Sequence, residues 1–209
     1  MLVLIMKQVV YLTKGIILVK KKVVQPLDWI MSYLNFYING VEFSTFKNTG
    51  WPRVNVGLGG KCIIGKNFRS NNREMSNPIG RFNKCSIIVG NDGFLIIGNN
   101  VGMSSTAIVC HKRIEIGDNV KIGGNVVIYD TDFHSLNPNS RLDPAMDRLN
   151  TKKVGVKIEN SAFIGAHSTI LKGENIGENS IIGAGSVVTK SIPSNQIWAG
   201  NPAKFVKEI

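Results

Sequence analysis

An aliphatic residue returns at every sixth position through two stretches of this chain. One stretch runs from Ile116 to Ile128 and the other from Ile158 to Val188. The nine positions reached by this spacing are all aliphatic: Ile116, Ile122, Ile128, Ile158, Ile164, Ile170, Ile176, Ile182 and Val188. Glycine often follows the aliphatic residue, and a small or β-branched residue often stands four positions after it. A regular six-residue unit therefore organises much of the chain.

A period of six matches neither the 3.6-residue period of a helix nor the two-residue alternation of an ordinary strand. It does match a short strand followed by a corner, because three such units close a triangular coil. The aliphatic residue would fill the axis, coils would stack about 4.8 Å apart, and glycine would supply the backbone angles of a corner. The repeat therefore predicts an all-β fold, a parallel β-helix in which each coil buries its neighbours.

The repeat also divides the chain into three segments. It predicts a β-helix over residues 54–192, preceded by a basic and apolar appendage over residues 1–53 and followed by a short extension over residues 193–209. The six-residue frame is interrupted over residues 129–157, which form an inserted loop. A long loop that leaves a rigid scaffold commonly carries functional groups. The inserted loop is therefore the first place to look for chemistry.

The appendage begins with an apolar run from Met1 to Val19. Lys7 and Lys14 interrupt this run, so it falls short of the roughly 18 uninterrupted apolar residues of a membrane span. It also lacks the pattern of a secretory signal, which favours a cytoplasmic protein. Three lysines at 20–22 and several aromatic residues follow, and this composition would suit a segment lying on an anionic membrane surface. Packing of the apolar run against the rest of the protein is the favoured alternative.

The composition excludes a disordered protein and indicates which kinds of partner the chain could bind. Hydrophobic residues make up 43% of the chain and charged residues 19%, which excludes wholesale disorder. The net charge of +11 favours anionic partners such as phosphates, nucleotides or an acidic membrane. Nucleic acid is not predicted, because the sequence contains no recognition motif for it. The three cysteines, Cys62, Cys85 and Cys110, are too few for a disulfide framework and indicate a reducing compartment.

Several repeat units resemble a known family. Ile164-Gly-Ala-His-Ser-Thr, Ile176-Gly-Glu-Asn-Ser-Ile and Ile182-Gly-Ala-Gly-Ser-Val are similar to the repeats of hexapeptide-repeat acyltransferases. The resemblance extends over about 87–207 and is close to galactoside, maltose and surface-polysaccharide O-acetyltransferases. It implies a left-handed β-helix, a homotrimer with active sites between subunits, and acetyl transfer from acetyl-CoA to a hydroxyl of a sugar or polysaccharide precursor. An amino sugar or a xenobiotic hydroxyl would use the same base, and both stay open as acceptors.

The inserted loop contains one histidine, His134. Taken alone, a loop histidine is most often a solvated surface group, but the resemblance implies that His134 is the catalytic base. An imidazole suits that role, because it is largely neutral at pH 7 and can accept a proton from a hydroxyl. Asp130 and Asp132 are the local candidates for orienting the ring or contacting substrate. Ser104 and Ser105 stand where similar enzymes have an acceptor-binding Asn, and they are candidate replacements for it.

The resemblance also implies a second group of residues, which would bind the acetyl-CoA donor. Lys172 and Lys190 are eighteen residues apart, which is one coil, so they should stack at one edge as a track for phosphates unless they simply extend into water. In similar enzymes acetyl-CoA lies along a groove between neighbouring subunits. The residues of this chain that match its contacts are Phe163, Ala166, Ala184, Thr189, Lys190, Lys204 and Lys207.

Other functions fit the sequence less well. A γ-class carbonic anhydrase would hold a metal with three histidines, but His111, His134 and His167 lack the close pair of that family, so no metal is expected. Serine acetyltransferases carry a large helical leader, and the residues ahead of Ile87 do not look helical throughout. A non-catalytic β-helix scaffold is the alternative of another class, and tight binding of acetyl-CoA would distinguish the two.

Overall fold

The computed structural model describes residues 2–73, 77–80 and 83–209. A long helix, α1 (Leu2–Ile38), comes first. It is followed by β1 (Glu42–Phe43), β2 (Phe46–Thr49), β3 (Arg53–Val56), β4 (Lys61–Ile64), β5 (Phe68–Asn71), β6 (Ser86–Val89), β7 (Phe94–Ile97), β8 (Gly102–Ser104), β9 (Ala107–Cys110), β10 (Arg113–Ile116), β11 (Lys121–Gly124) and β12 (Val127–Tyr129).

The inserted loop follows β12 and contains a short 3-10 helix (Ser140–Leu142) and α2 (Pro144–Asn150). The remaining strands are β13 (Val156–Ile158), β14 (Phe163–Ile164), β15 (Thr169–Ile170), β16 (Asn175–Ile176), β17 (Ile181–Ile182), β18 (Val187–Val188), β19 (Gln196–Ala199) and β20 (Lys204–Glu208).

Three parallel sheets form the sides of the β-helix. The first has the order β1-β4-β7-β10-β13-β16, the second β2-β5-β8-β11-β14-β17-β19-β20, and the third β3-β6-β9-β12-β15-β18. Each sheet takes every third strand along most of the chain, so each coil contributes one strand to each side. Among the strands that the structure describes, the last pair, β19 with β20, is antiparallel and the other pairs are parallel. The predicted three-sided β-helix is therefore confirmed.

The sixth-position aliphatic residues form columns inside the β-helix. In the second sheet Ile122, Ile164 and Ile182 stand in register on successive coils. In the third sheet Ile128 and Ile170 do the same. All five are at least 96% buried, and removing such a side chain from water stabilises the fold by about 1.5–3 kcal/mol. These columns explain why the chain keeps its six-residue period.

Glycine in the repeat has a different role from the one that the sequence suggested. Gly123, Gly165 and Gly183 do not adopt positive φ; the corner residues that do are mostly asparagines, such as Asn100 (φ 59°) and Asn119 (φ 61°). The glycines are required by space, because a Cβ on Gly165 would lie 2.5 Å from the Ala184 nitrogen of the next coil. Asparagine thus supplies most of the left-handed backbone conformations at the corners, because it tolerates this region better than most other residues with a Cβ.

The stacked coils begin at β1, ahead of residue 54 where the repeat predicts them. The first coil lacks the aliphatic and glycine pattern because aromatic side chains fill this end of the β-helix. Phe36 of α1 is fully buried, and its ring centroid lies 5.4 Å from that of Phe43 and 5.2 Å from that of Phe46. The carboxyl-terminal part of α1 therefore caps the β-helix. No helix among the described residues combines the length and apolarity needed to cross a membrane.

Candidate active site

The inserted loop leaves the β-helix at Asp130, directly after β12. Asp130 is fully buried, and its carboxylate accepts backbone N–H bonds from His111, Lys112 and Arg113, each at 2.7 Å. Three backbone donors satisfy the buried charge, so this carboxylate holds the exit of the loop against the preceding coil. The expectation that Asp130 orients His134 is therefore wrong, since its oxygens are committed to the backbone.

Asp132 has a different partner from the predicted one. Its Oδ1 lies 2.6 Å from Nζ of Lys172, one coil below the loop exit. Both side chains are largely buried, with 18% and 23% of their surface exposed. Asp132 therefore pairs with Lys172 and not with the His134 ring. The charge of Lys172 is neutralised, which leaves Lys190 as the member of that predicted pair with an exposed side chain.

His134 meets its carboxylate partner on α2. Nδ1 of His134 lies 2.7 Å from Oδ2 of Asp147, and Oδ1 of Asp147 accepts the Ser135 amide at 2.6 Å. The imidazole is 71% exposed, whereas the Asp147 side chain is only 13% exposed. Two hydrogen bonds lower the pKa of Asp147 below its ordinary value. The one from His134 has the larger effect, and the one from the Ser135 amide has the smaller. An ionised Asp147 is an acceptor only, so it selects the tautomer with the proton on Nδ1 and leaves Nε2 as an outward acceptor.

Local interactions fix Asp147 in place. Asp143 caps α2 by accepting the Ala145 and Met146 amides at 2.8 Å, and Pro144 occupies the first turn. Thr151 donates its hydroxyl to the Asp147 carbonyl at 2.6 Å. An Asp-Pro pair is a helix-start signal. That signal at Asp143 could have revealed α2 from the sequence, and with it the carboxylate that faces back toward the loop.

Ser104 and Ser105 both have asparagine partners. The Ser104 hydroxyl accepts from Nδ2 of Asn71 at 2.9 Å, and that of Ser105 accepts from Nδ2 of Asn77 at 3.2 Å. Ser105 is buried and has a positive φ of 47°. The sequence reasoning missed both asparagines. They lie in a part of the chain where the six-residue pattern is weak.

The residues implied in donor binding fall at two edges of the third sheet. Ala166 and Ala184 lie at the corner between the second and third sheets, where the Gly185 amide donates to the Ala166 carbonyl at 2.8 Å. Phe163 on β14 and Lys204 and Lys207 on β20 are exposed on the second sheet beside this corner.

The other edge carries the inserted loop and the remaining donor candidates. Ile128, Ile170 and Val188 are in register, so the loop exit stands above Lys172, and Lys172 above Lys190. Thr189 and Lys190 are exposed there. The structure thus brings Lys190 to the edge that carries His134, and it places Ala166 and Ala184 at the opposite edge of the same sheet.

The cysteines do not offer a nucleophile. Cys62, Cys85 and Cys110 are free and buried. Burial raises the pKa of Cys62 and Cys110 to about 12 and that of Cys85 to about 11. A thiol with so high a pKa holds its proton at neutral pH and attacks poorly.

The histidines are not arranged as a metal site. His167 occupies a corner with φ of 64°, and its Nδ1 lies 3.2 Å from Nδ2 of Asn125. Across residues 2–73, 77–80 and 83–209, no three His, Cys, Asp or Glu side chains are grouped so that they could hold a metal ion.

Sequence comparison relates the chain to acetyltransferases. Residues 155–190 match the family model described as the hexapeptide repeat of succinyl-transferase. The galactoside O-acetyltransferase of Escherichia coli K12 is 39% identical over 105 residues, which cover 49% of this chain and 47% of that enzyme. The galactoside O-acetyltransferase of Lactococcus lactis is 42% identical over 102 residues, covering 49% and 46%. The chain thus matches about half the length of these curated relatives.

Structural comparison identifies the fold. A hexapeptide-repeat acetyltransferase from Vibrio cholerae has a TM-score of 0.50 at 28% identity, over 55% of this chain and 62% of that one. An N-acyltransferase from Bacillus cereus, solved with dTDP and 3-hydroxybutyryl-CoA, has a TM-score of 0.64 at 21% identity, over 82% and 85%. The second likeness shows the fold alone. The described architecture is the left-handed parallel β-helix of hexapeptide-repeat acetyltransferases.

Proposed function

Because this chain is a hexapeptide-repeat protein with the fold of the hexapeptide-repeat acetyltransferases, we propose that it transfers an acetyl group from acetyl-CoA to a hydroxyl of a sugar or polysaccharide precursor. His134 is the general base of this reaction. The observation that carries the proposal is the contact of His134 with Asp147, which leaves the other ring nitrogen facing out of the loop. The galactoside O-acetyltransferases among the relatives support a sugar hydroxyl as the acceptor.

The chemistry needs no covalent enzyme intermediate. Nε2 of His134 accepts the proton of the acceptor hydroxyl while the oxygen attacks the thioester carbonyl carbon. The carbon–sulfur bond then breaks, and the proton passes from the imidazolium to the departing thiolate, which leaves as CoA thiol. Asp147 stabilises the imidazolium between these two steps. A positioned base of this kind contributes about 10²–10⁴-fold to the rate.

The donor binds along the edges of the third sheet. The CoA phosphates are anionic, and the exposed ammonium groups of Lys190, Lys204 and Lys207 are their partners. The small side chains of Ala166 and Ala184 leave room for the narrow pantetheine chain to pass close to the backbone, and the exposed ring of Phe163 lies nearby.

The site is completed by a second copy of the chain in a homotrimer. The two groups of donor candidates lie at opposite edges of one sheet, so one thioester cannot contact both on the same copy. The outer side of that sheet presents half-buried aliphatic residues, among them Ile88, Val109 and Val187, which suit a subunit contact. Packing on this side brings one edge of each copy toward the other edge of its neighbour.

An acceptor screen tests the proposal. The purified chain is incubated with acetyl-CoA and a panel of sugars and nucleotide sugars, half with free hydroxyls only and half with an amino group. Thiol release and acetylated product are measured together. The proposal predicts product on a hydroxyl sugar. Product on amino sugars alone would identify N-acetyltransfer instead, and failure to bind acetyl-CoA would favour a non-catalytic scaffold.

A further inference from the structure

Helix α1 packs on the β-helix through one side of its last third. Asp28, Ser32 and Phe36 are buried there, at spacings of four residues. Asp28 forms an ion pair with Arg73, and Nδ2 of Asn35 donates to the Pro52 carbonyl at 2.5 Å. These contacts fix the rotation of the helix about its axis.

The opposite side of this part of α1 carries an uncovered apolar stripe. We define the outer stripe by its five residues, which are Leu27, Ile30, Met31, Leu34 and Ile38. Their spacing of three and four residues places them on one side of the helix. Each is between 36% and 76% exposed. Single exposed apolar residues are ordinary on a protein surface, but a continuous row marks an interaction surface.

One described apolar side chain ahead of Pro26 lies on the same side of the helix as the outer stripe. Eighteen residues are five helical turns, so Leu12 lies on the same side as Ile30, and Leu12 is 66% exposed. By the same count Lys14 lies on the side of the buried Ser32. Lys7 is two turns before Lys14, and both lysines are exposed. The side chains at 16–23 lie outside those that the structure describes. Among the described side chains of this part of the helix, Leu12 therefore lies in line with the outer stripe, and Lys7 and Lys14 lie on the opposite side, where Val10 is also exposed.

The charge of this segment identifies the kind of partner. The first 27 residues contain five lysines and no acidic residue. A second copy of the same helix would bring like charges together, whereas an anionic lipid surface attracts each lysine. At 1.5 Å per residue the 37-residue helix is about 55 Å long, nearly twice the roughly 30 Å hydrocarbon core, and lysines interrupt it. Such a helix suits the membrane surface better than a span.

We infer that α1 binds the surface of an anionic lipid bilayer, with the outer stripe in the boundary between headgroups and acyl chains. Pro26 lies inside the helix and lacks the N–H that would bond the preceding turn. The helix can therefore bend where it leaves the β-helix. This inference is independent of the proposed reaction, because it uses none of the residues of the candidate active site.

Vesicle co-sedimentation of the 209-residue chain tests the inference without acetyl-CoA. Vesicles of neutral phosphatidylcholine are compared with vesicles in which about a third of the lipid is anionic phosphatidylglycerol. The chain should bind the anionic vesicles, and added salt should weaken binding. The double substitution Ile30→Glu with Leu34→Glu should lower the partition coefficient about tenfold or more, because it puts two charges in the apolar stripe.

Leu58→Glu is the matched control, since Leu58 is fully exposed on the turn between β3 and β4 and lies outside α1. It should leave vesicle binding unchanged. Circular dichroism checks that the double variant keeps its fold. Equal binding of the double variant and the original chain would overturn the inference. A second result would also overturn the inference: the original chain does not bind vesicles but associates with itself, and the double substitution abolishes that self-association. That result would show that a second copy of the chain covers the outer stripe.

Discussion

Nδ1 of His134 lies 2.7 Å from Oδ2 of Asp147, although the two residues are 13 positions apart along the chain. The contact is made across the inserted loop, from its first turn to α2. It pairs an exposed imidazole with a mostly buried carboxylate. This arrangement orients the ring and gives the imidazolium a charged partner, which are the two requirements of a base in acyl transfer.

Asp147→Asn should reduce kcat by about 10–100-fold and change the KM for acetyl-CoA little, because it removes the charge that stabilises the imidazolium. The pKa of Asp147 is lowered in the fold, so the pairing is present at neutral pH and is lost only as the pH falls through that lowered value. Steady-state kinetics from pH 5 to pH 9 measures both effects.

Asp143→Asn is the control for that variant. It removes the same charge from the same loop, and asparagine caps a helix about as well as aspartate. Its kcat and pH profile should match those of the original chain. An equal loss of rate in both variants would assign Asp147 a structural role only.

Asp130→Ala should lower the free energy of unfolding by about 3 kcal/mol or more, because it leaves three backbone donors without their acceptor. These donors are the amides of His111, Lys112 and Arg113. Urea denaturation measures the change. Asp92→Ala, at an exposed turn, should change stability by less than about 0.5 kcal/mol. Equal midpoints for the two variants would contradict the anchoring role of Asp130.

Gly165→Ala should destabilise the β-helix by about 1–3 kcal/mol, because the added Cβ meets backbone that cannot move aside. Its nearest atoms would be the Ala184 nitrogen at 2.5 Å and the Ile182 carbonyl oxygen at 2.6 Å. Thermal unfolding measures the loss. Gly15→Ala is the comparison, since Gly15 is helical and nothing lies within 4 Å of its added Cβ. That variant should be no less stable than the original chain.

Lys190→Ala should raise the KM for acetyl-CoA by about 3–10-fold with little change in kcat, because a phosphate contact binds the ground state and the transition state alike. Lys66→Ala removes another exposed lysine, away from the edge that carries the loop. It should leave both constants unchanged. A KM unaffected by Lys190→Ala would remove this lysine from the donor site.

The sequence predicted those parts of the molecule in which one local pattern repeats. The coil, the columns that contain Ile164 and Ile182, and the interruption after Ile128 all follow from the six-residue spacing. The first coil escaped prediction because Phe43 and Phe46 pack against a helix there and do not follow the repeat.

The partner of His134 escaped prediction for a related reason. Asp130 and Asp132 are nearer along the chain, but the fold commits one to backbone amides and the other to Lys172. Asp147 reaches the ring only because α2 turns back on the loop. Contacts inside a non-repeating loop depend on its tertiary path, which local spacing does not encode.

The rate of acetyl transfer by His134→Ala tests the central claim most directly. The assay uses the acceptor found in the screen, and equilibrium binding of acetyl-CoA is measured on the same sample. His111→Ala serves as the control, because His111 lies on a turn outside the inserted loop. The account predicts a fall in kcat of about 10²–10⁴-fold with acetyl-CoA binding retained and His111→Ala unaffected. A His134→Ala variant that transfers acetyl groups at the original rate would contradict it.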